Sequence, residues 1–195
     1  MDTSPPRLVL ASGSRHRRAL LERLGIPFAQ DSPDIDESPL DGEDPPATAI
    51  RLAREKARAV RARHPGAVII GSDQVAVRDG ETLGKPGTRE AAEDQLARSA
   101  GRAVEFLTAV CVLGDRPEPE EHMDVTRVVF RPLSPDAIGR YLDRDQPFDC
   151  AGAFRSESLG IALVERIDSQ DPTGLVGLPL AWLSGALGRL GLPVL

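Results

Sequence analysis

The first apolar run of the chain is Leu8-Val9-Leu10, the length of a short buried strand, and small residues follow it. After Gly13 the period changes to that of an amphipathic helix. Ser14 is placed to cap that helix, and Arg15-His16-Arg17-Arg18 form its first turn. Basic side chains are disfavoured there, because a helix N-terminus carries partial positive charge. A bound anion would remove the conflict. A strand, a turn of small residues and a helix start form an anion site, and Arg17 and Arg18 offer bidentate geometry for phosphate. The Ser12 and Ser14 hydroxyls would add donors. The alternative is a solvated basic helix start.

Residues 31–46 then hold seven carboxylates among prolines, with no period, and read as a loop. Pro46 suits the first turn of a helix over 46–64, whose apolar face carries Ile50, Ala53, Ala57 and Val60. Residues 66–73 read as a strand ending at Gly71-Ser72-Asp73, followed by a hairpin-like excursion that turns at Asp79-Gly80. Thr88 opens a helix to about Ser99, closed by Gly101. Residues 103–114 and "VTRVVFRPL" read as an antiparallel pair of strands across a polar connection. Ser134-Pro135-Asp136 opens a further helix, "LGIALVERI" reads as a strand, and "GLPLAWLSGALGRLG" is the closing helix. Interleaved strands and helices with an antiparallel pair predict an α/β fold with a mixed sheet, and the 195 residues suit one domain over 1–195.

Composition narrows the picture. Aromatics are only 4%, so the core must rest on Leu, Val, Ile and Ala. A net charge of −6 argues against a nucleic-acid-binding surface but leaves room for a local basic pocket. Cys111 and Cys150 have no metal-type spacing and read as buried free thiols. Met1–Pro5 lacks the charge and apolar core of a secretory signal, and no apolar run has the length of a membrane span. A cytoplasmic protein without membrane partners is expected.

Asp73 follows an apolar strand, where α/β sheets collect ligands; there it serves as metal ligand or general base, or else caps a turn. "GETLGKPGT" departs from a phosphate loop: three residues separate Gly80 and Gly84, and Pro86 stands where a hydroxyl is needed. It still sets Lys85 on a constrained turn. Lys56 has Leu52 and Ala59 as helical neighbours and either snorkels or points into a cleft. In the acidic loop, Ile35 anchors Asp36-Glu37. The calcium-loop pattern is absent, but magnesium needs only one or two carboxylates plus substrate phosphates. Basic groups at Arg17, Arg18, Lys56 and Lys85 with acids at Glu37 and Asp73 are an inventory for reacting a polyphosphate. No Ser/His/Asp or Cys/His set competes with it, and His64 and His122 fall at surface positions.

The segments "LASGSRHRRALLERLGIPF", "DIDES", "AREKA", "IIGSDQV", "LGKP", "CAGAF" and "DPTGLVGLPL" resemble, in order, the Maf family of nucleoside triphosphate pyrophosphatases. The resemblance implies an inosine-triphosphatase-like α/β fold: an elongated mixed sheet with flanking helices, two lobes around a cleft, and a homodimer. It implies hydrolysis of a nucleoside triphosphate to monophosphate and pyrophosphate with a divalent cation, Mg²⁺ or Mn²⁺. Asp73 matches the catalytic acid position. Ser12, Arg17, Lys56 and Lys85 match positions around the phosphates, and Glu37 matches an acidic position near the metal. Base-selecting positions fall on His16, Gln74 and Glu157, and the last two look like the subgroup acting on 7-methyl-GTP. A carboxylate at Glu157 matches the two adjacent N–H donors of a guanine edge, and a methylated cationic ring favours an acid and a flat side chain. Three positions depart from the pattern: Arg15 replaces a proline, His16 replaces a larger aromatic, and Gly174 stands where a hydroxyl residue is expected. The same reaction on dTTP or UTP, and a non-catalytic nucleotide-binding regulator of cell division, are the alternatives.

Overall fold

Leu8–Ala11, four positions with fully buried side chains, form β1 in the computed structural model, which describes residues 8–195. The reading of Met1–Pro5 lies outside the described residues. β1 pairs in parallel with β2 (Phe28–Gln30) and β3 (Val68–Arg78). Parallel pairing needs crossovers. These contain α1 (Arg15–Glu22), capped by the Ser14 hydroxyl, and α2 (Pro45–Arg61), capped by the Asp44 carboxylate. The acidic loop between β2 and α2 has no regular structure, as its composition predicts.

The remaining elements are β4 (Glu81–Leu83), α3 (Arg89–Ser99), β5 (Ala103–Leu113), β6 (Glu120–Phe130), α4 (Pro135–Asp145), β7 (Val164–Asp168) and α5 (Leu180–Arg189). Strand order along the sheet is β2-β1-β3-β5-β6-β7, with β4 on β3. β3–β4 and β6–β7 are antiparallel, so the sheet is mixed. Asp79 and Gly80 turn the β3–β4 hairpin with φ of 50° and 82°, the left-handed values a tight hairpin requires. Among the described residues no helix is long and apolar enough to cross a membrane.

β2 has no counterpart in the sequence reading, β6 begins at Glu120 rather than Val125, and two further elements differ. β3 does not end at Asp73. Its first half pairs with β1 as far as Gly71, and its second half pairs with β4 from Ala76 to Arg78. Asp73 therefore sits inside a strand, between the stretch paired with β1 and the stretch paired with β4. The strand expected over 159–167 begins only at Val164; Leu159–Leu163 is a 3-10 turn. Gly160 packs so closely on Arg155 that a Cβ there would lie 2.3 Å from the Arg155 carbonyl oxygen. Local apolar content could not show that contact.

The chain divides into two compact units. One gathers the chain up to Asp73 with Thr108–Asp124 and Asp171–Leu195; the other holds Gln74–Leu107 and Val125–Gln170. The core of the first is aliphatic, with Leu8, Leu10, Leu21, Ile70, Leu183 and Leu187 at its centre. The second packs Phe154 between Phe106 and Phe130, at ring distances of 5.6 and 5.2 Å. Cys111 is buried, as expected, whereas Cys150 is only half-buried, because it lies in the loop after α4 beside Arg155.

Candidate active site

Gly71 shapes the centre of the first unit. A Cβ there would lie 2.2 Å from the carbonyl oxygen of Ala53, so only glycine lets α2 approach β3 this closely. Asp73, two residues on, points to the same face. Lys56, one turn after Ala53, then reaches it: Nζ lies 2.6 Å from Asp73 Oδ1 and 2.8 Å from Glu37 Oε1. Lys56 and Asp73 are buried, while Glu37 is half-exposed on the acidic loop. The loop is tied at its start to the turn after α2 and at its end to α2 itself. Asp31 accepts from Arg63 and His64, and Glu43 accepts twice from Arg51, which also donates to the Ser38 carbonyl. These ties draw Asp31 and Glu43 down to about 2.

The basic helix start separates into distinct partners. Arg18 pairs with Glu22 one turn along, 2.9 Å away and exposed, so it is a surface ion pair and not part of this centre. Arg15 is exposed and donates to His16 Nε2. Arg17 turns inward and donates through Nε to the carbonyl of Gly177 at 3.2 Å. Burial pushes the Arg17 guanidinium down from its ordinary value, and the charges of Asp73 and Glu37 oppose that shift. Ser14 is the helix cap, and Ser12 Oγ accepts from the Ser14 amide; both hydroxyls therefore shape the turn.

Gln74, Lys85 and Glu157 belong to the second unit. Lys85 is exposed on a turn whose Gly84 carbonyl accepts from Gln95 Nε2 and the Gly152 amide. Glu157 is exposed on a turn flanked by Arg155 and Ser158, both bonded to Asp145. Gln74 is half-buried in β3. His64 and His122, read as surface positions, are half-buried: His64 is held by Asp31, and His122 stacks on Trp182 at 5.0 Å. Sequence reasoning missed Gly71, Ser72, Asp124, Asp171 and Gly177. Of these, Gly71 carried a signal, a glycine inside an apolar strand. The departure at Gly174 has a local cause: a Cβ there would lie 2.1 Å from Oδ2 of buried Asp124.

Among the described residues no group of three or more His, Cys, Asp or Glu side chains could hold a metal ion. Glu37 and Asp73 nevertheless place carboxylate oxygens within hydrogen-bond reach of one point, the Lys56 ammonium. That donor set fits Mg²⁺ or Mn²⁺, hard ions content with one or two carboxylates when phosphate and water supply the rest.

The parallel pairs β1–β2 and β1–β3, joined through helices, define an α/β protein, with Asp73 just past the last β1–β3 pair at Gly71. Within that class the chain belongs to the Maf family: residues 7–190 match the family described as Maf-like protein. It is 53% identical over 192 residues to the 7-methyl-GTP pyrophosphatase of Bordetella pertussis, covering 98% of this chain and 96% of that one. It is 54% identical to the 7-methyl-GTP pyrophosphatase of Burkholderia orbicola, covering 97% and 92%. For that of Aromatoleum aromaticum the identity is 55%, covering 95% and 96%. Among solved structures, the Staphylococcus aureus Ham1 protein aligns with a TM-score of 0.46 and 16% identity over 65% of this chain and 72% of that chain.

Proposed function

We propose that this protein hydrolyses a nucleoside triphosphate to the monophosphate and pyrophosphate, with 7-methyl-GTP as its preferred substrate. The observation that carries the reading is the Glu37–Lys56–Asp73 cluster with Arg17 beside it. Relatives bearing the name 7-methyl-GTP pyrophosphatase, matched over almost the full chain, support the choice of substrate.

Two cations, Arg17 and Lys56, face two anions, Glu37 and Asp73. The cluster is near neutral and cannot by itself offset the charge of a triphosphate. Glu37 and Asp73 would hold a divalent ion, which would supply the missing positive charge at the phosphoryl oxygens. Asp73, through a carboxylate oxygen, orients the attacking water and takes its proton. The water oxygen bonds to the α-phosphorus as the bond from that phosphorus to the bridging oxygen breaks, and pyrophosphate leaves with the bond's electron pair. The Arg17 guanidinium offers its terminal nitrogens to phosphate oxygens, and Lys56 turns its ammonium from the carboxylates toward them. Lys85, Gln74 and Glu157 are proposed as phosphate and base contacts, as the family resemblance implies.

Pyrophosphate release from 7-methyl-GTP, GTP, dTTP and UTP, with Mg²⁺, with Mn²⁺ and with chelator, tests both parts. Fastest release from 7-methyl-GTP and loss with chelator are expected. Equal rates on dTTP would overturn the specificity, and full activity in chelator would overturn the role of the metal.

A further inference from the structure

The Gly177 carbonyl accepts two bonds, from Arg17 Nε at 3.2 Å and from Ser72 Oγ at 2.9 Å. One oxygen therefore fixes both the plane of a guanidinium and the residue immediately before Asp73. The bond uses Nε, so both terminal nitrogens of Arg17 remain for a ligand. Gly177 has φ of 122°, and a Cβ there would lie 3.1 Å from Arg17 Nε. Position 177 thus requires glycine for its backbone and for the arginine against it.

The loop that presents this carbonyl is closed by Asp171, a buried carboxylate. Its Oδ1 accepts from the Thr173 amide at 3.0 Å and the Thr173 hydroxyl at 2.6 Å. Its Oδ2 accepts from the Ala181 amide at 2.7 Å. Thr173 Oγ1 in turn accepts from the Leu180 amide at 2.8 Å. The first two amides of α5 are orphan donors of a helix start, and a carboxylate is favoured there. Asp171 thereby ties residue 173 to residue 181, with Gly177 midway between them. Thr108 Oγ1 adds a bond to the Gly174 carbonyl at 2.9 Å.

We propose that Asp171 is a positioning residue for the reaction. By clamping the 173–181 loop it aims the Gly177 carbonyl, and through that carbonyl it orients Arg17 and Ser72. This rests on the pyrophosphatase reading for its chemistry, but the placement of Arg17 can be measured without turnover.

The test is a double-mutant cycle between Asp171→Asn and Arg17→Lys, read as kcat/KM on 7-methyl-GTP and as calorimetric affinity for inorganic triphosphate. Lysine keeps the charge but has a single ammonium, so a bond to the carbonyl cannot orient two further donors toward phosphate as it does for arginine. Asp171→Asn is expected to cost about tenfold or more beside Arg17, and less than about threefold beside Lys at position 17. Equal losses in the two backgrounds would overturn the proposal, since a purely structural role is additive. If Asp171→Asn does not fold, Gly177→Ala, which presses on Arg17 directly, takes its place in the same cycle. A wild type that binds triphosphate without releasing pyrophosphate from any nucleotide would remove the proposed function, and the cycle in affinity would still decide the role of Asp171. A wild type that fails to bind triphosphate removes both.

Discussion

The Lys56 ammonium sits 2.6 Å from Asp73 Oδ1, and both groups are buried. This pair fixes the carboxylate where the chemistry is proposed. Asp73→Asn keeps the size and removes the base. It should lower kcat by about 10²- to 10⁴-fold. Turnover near wild type would show that another group takes the proton.

Removing the cation has a different signature. In Lys56→Met, Glu37 and Asp73 lose their shared counter-charge. Their mutual repulsion then moves the Asp73 carboxylate off its position, and kcat should fall. Wild-type kcat would show that Lys56 does not place Asp73.

Gly71→Ala tests the approach of α2 to β3. The added Cβ would lie 2.2 Å from a carbonyl oxygen that cannot swing away. Overpacking of this kind costs about 1–3 kcal/mol or more. Urea unfolding should show a lower midpoint at unchanged slope, with loss of the Lys56 contact as lost activity. A wild-type midpoint would contradict the packing described.

The departure at Gly174 should be coupled to Asp124. Gly174→Ser places a side chain against the Asp124 carboxylate and should destabilise the fold by about 1–3 kcal/mol. Asp124→Ala should relieve that clash, so the double variant should lose less than the sum of the two singles. Additive losses in thermal unfolding would mean that Asp124 does not set the identity of residue 174.

Acid should release the loop that carries Glu37. Asp31 is held at about 2, well below its ordinary value, by bonds from Arg63 and then His64, and Glu43 is held at about 2 chiefly by Arg51. Both are depressed carboxylates. Their contribution to stability is complete above the unfolded values near 4 and is lost as pH falls toward 2. Hydrogen exchange in residues 31–44 should rise over that window. Asp31→Asn should flatten the pH dependence at that end, and unchanged exchange between pH 4 and 2 would refute the tie.

Several features were legible because they are local. The cap residues Ser14, Thr88 and Ser134, the Asp79-Gly80 turn and the apolar period of α2 depend on neighbours a few residues away. The charge inventory of Arg17, Lys56, Glu37 and Asp73 was legible too, since residue type alone limits who can face a polyphosphate.

What the sequence by itself determined was therefore the class of fold, the helix starts and the chemistry available. Tertiary structure decided which charges meet. Arg18 and Arg17 are adjacent and chemically identical, yet one pairs with Glu22 on the helix surface and the other with a carbonyl 160 residues away. β3 runs through Asp73 because other strands, β4 among them, give it partners beyond the last β1 pair at Gly71. The length of a strand, the direction of a side chain and the need for glycine at 71, 174 and 177 are set by atoms distant along the chain. Periodicity and spacing carry no information about them; only the packed structure does.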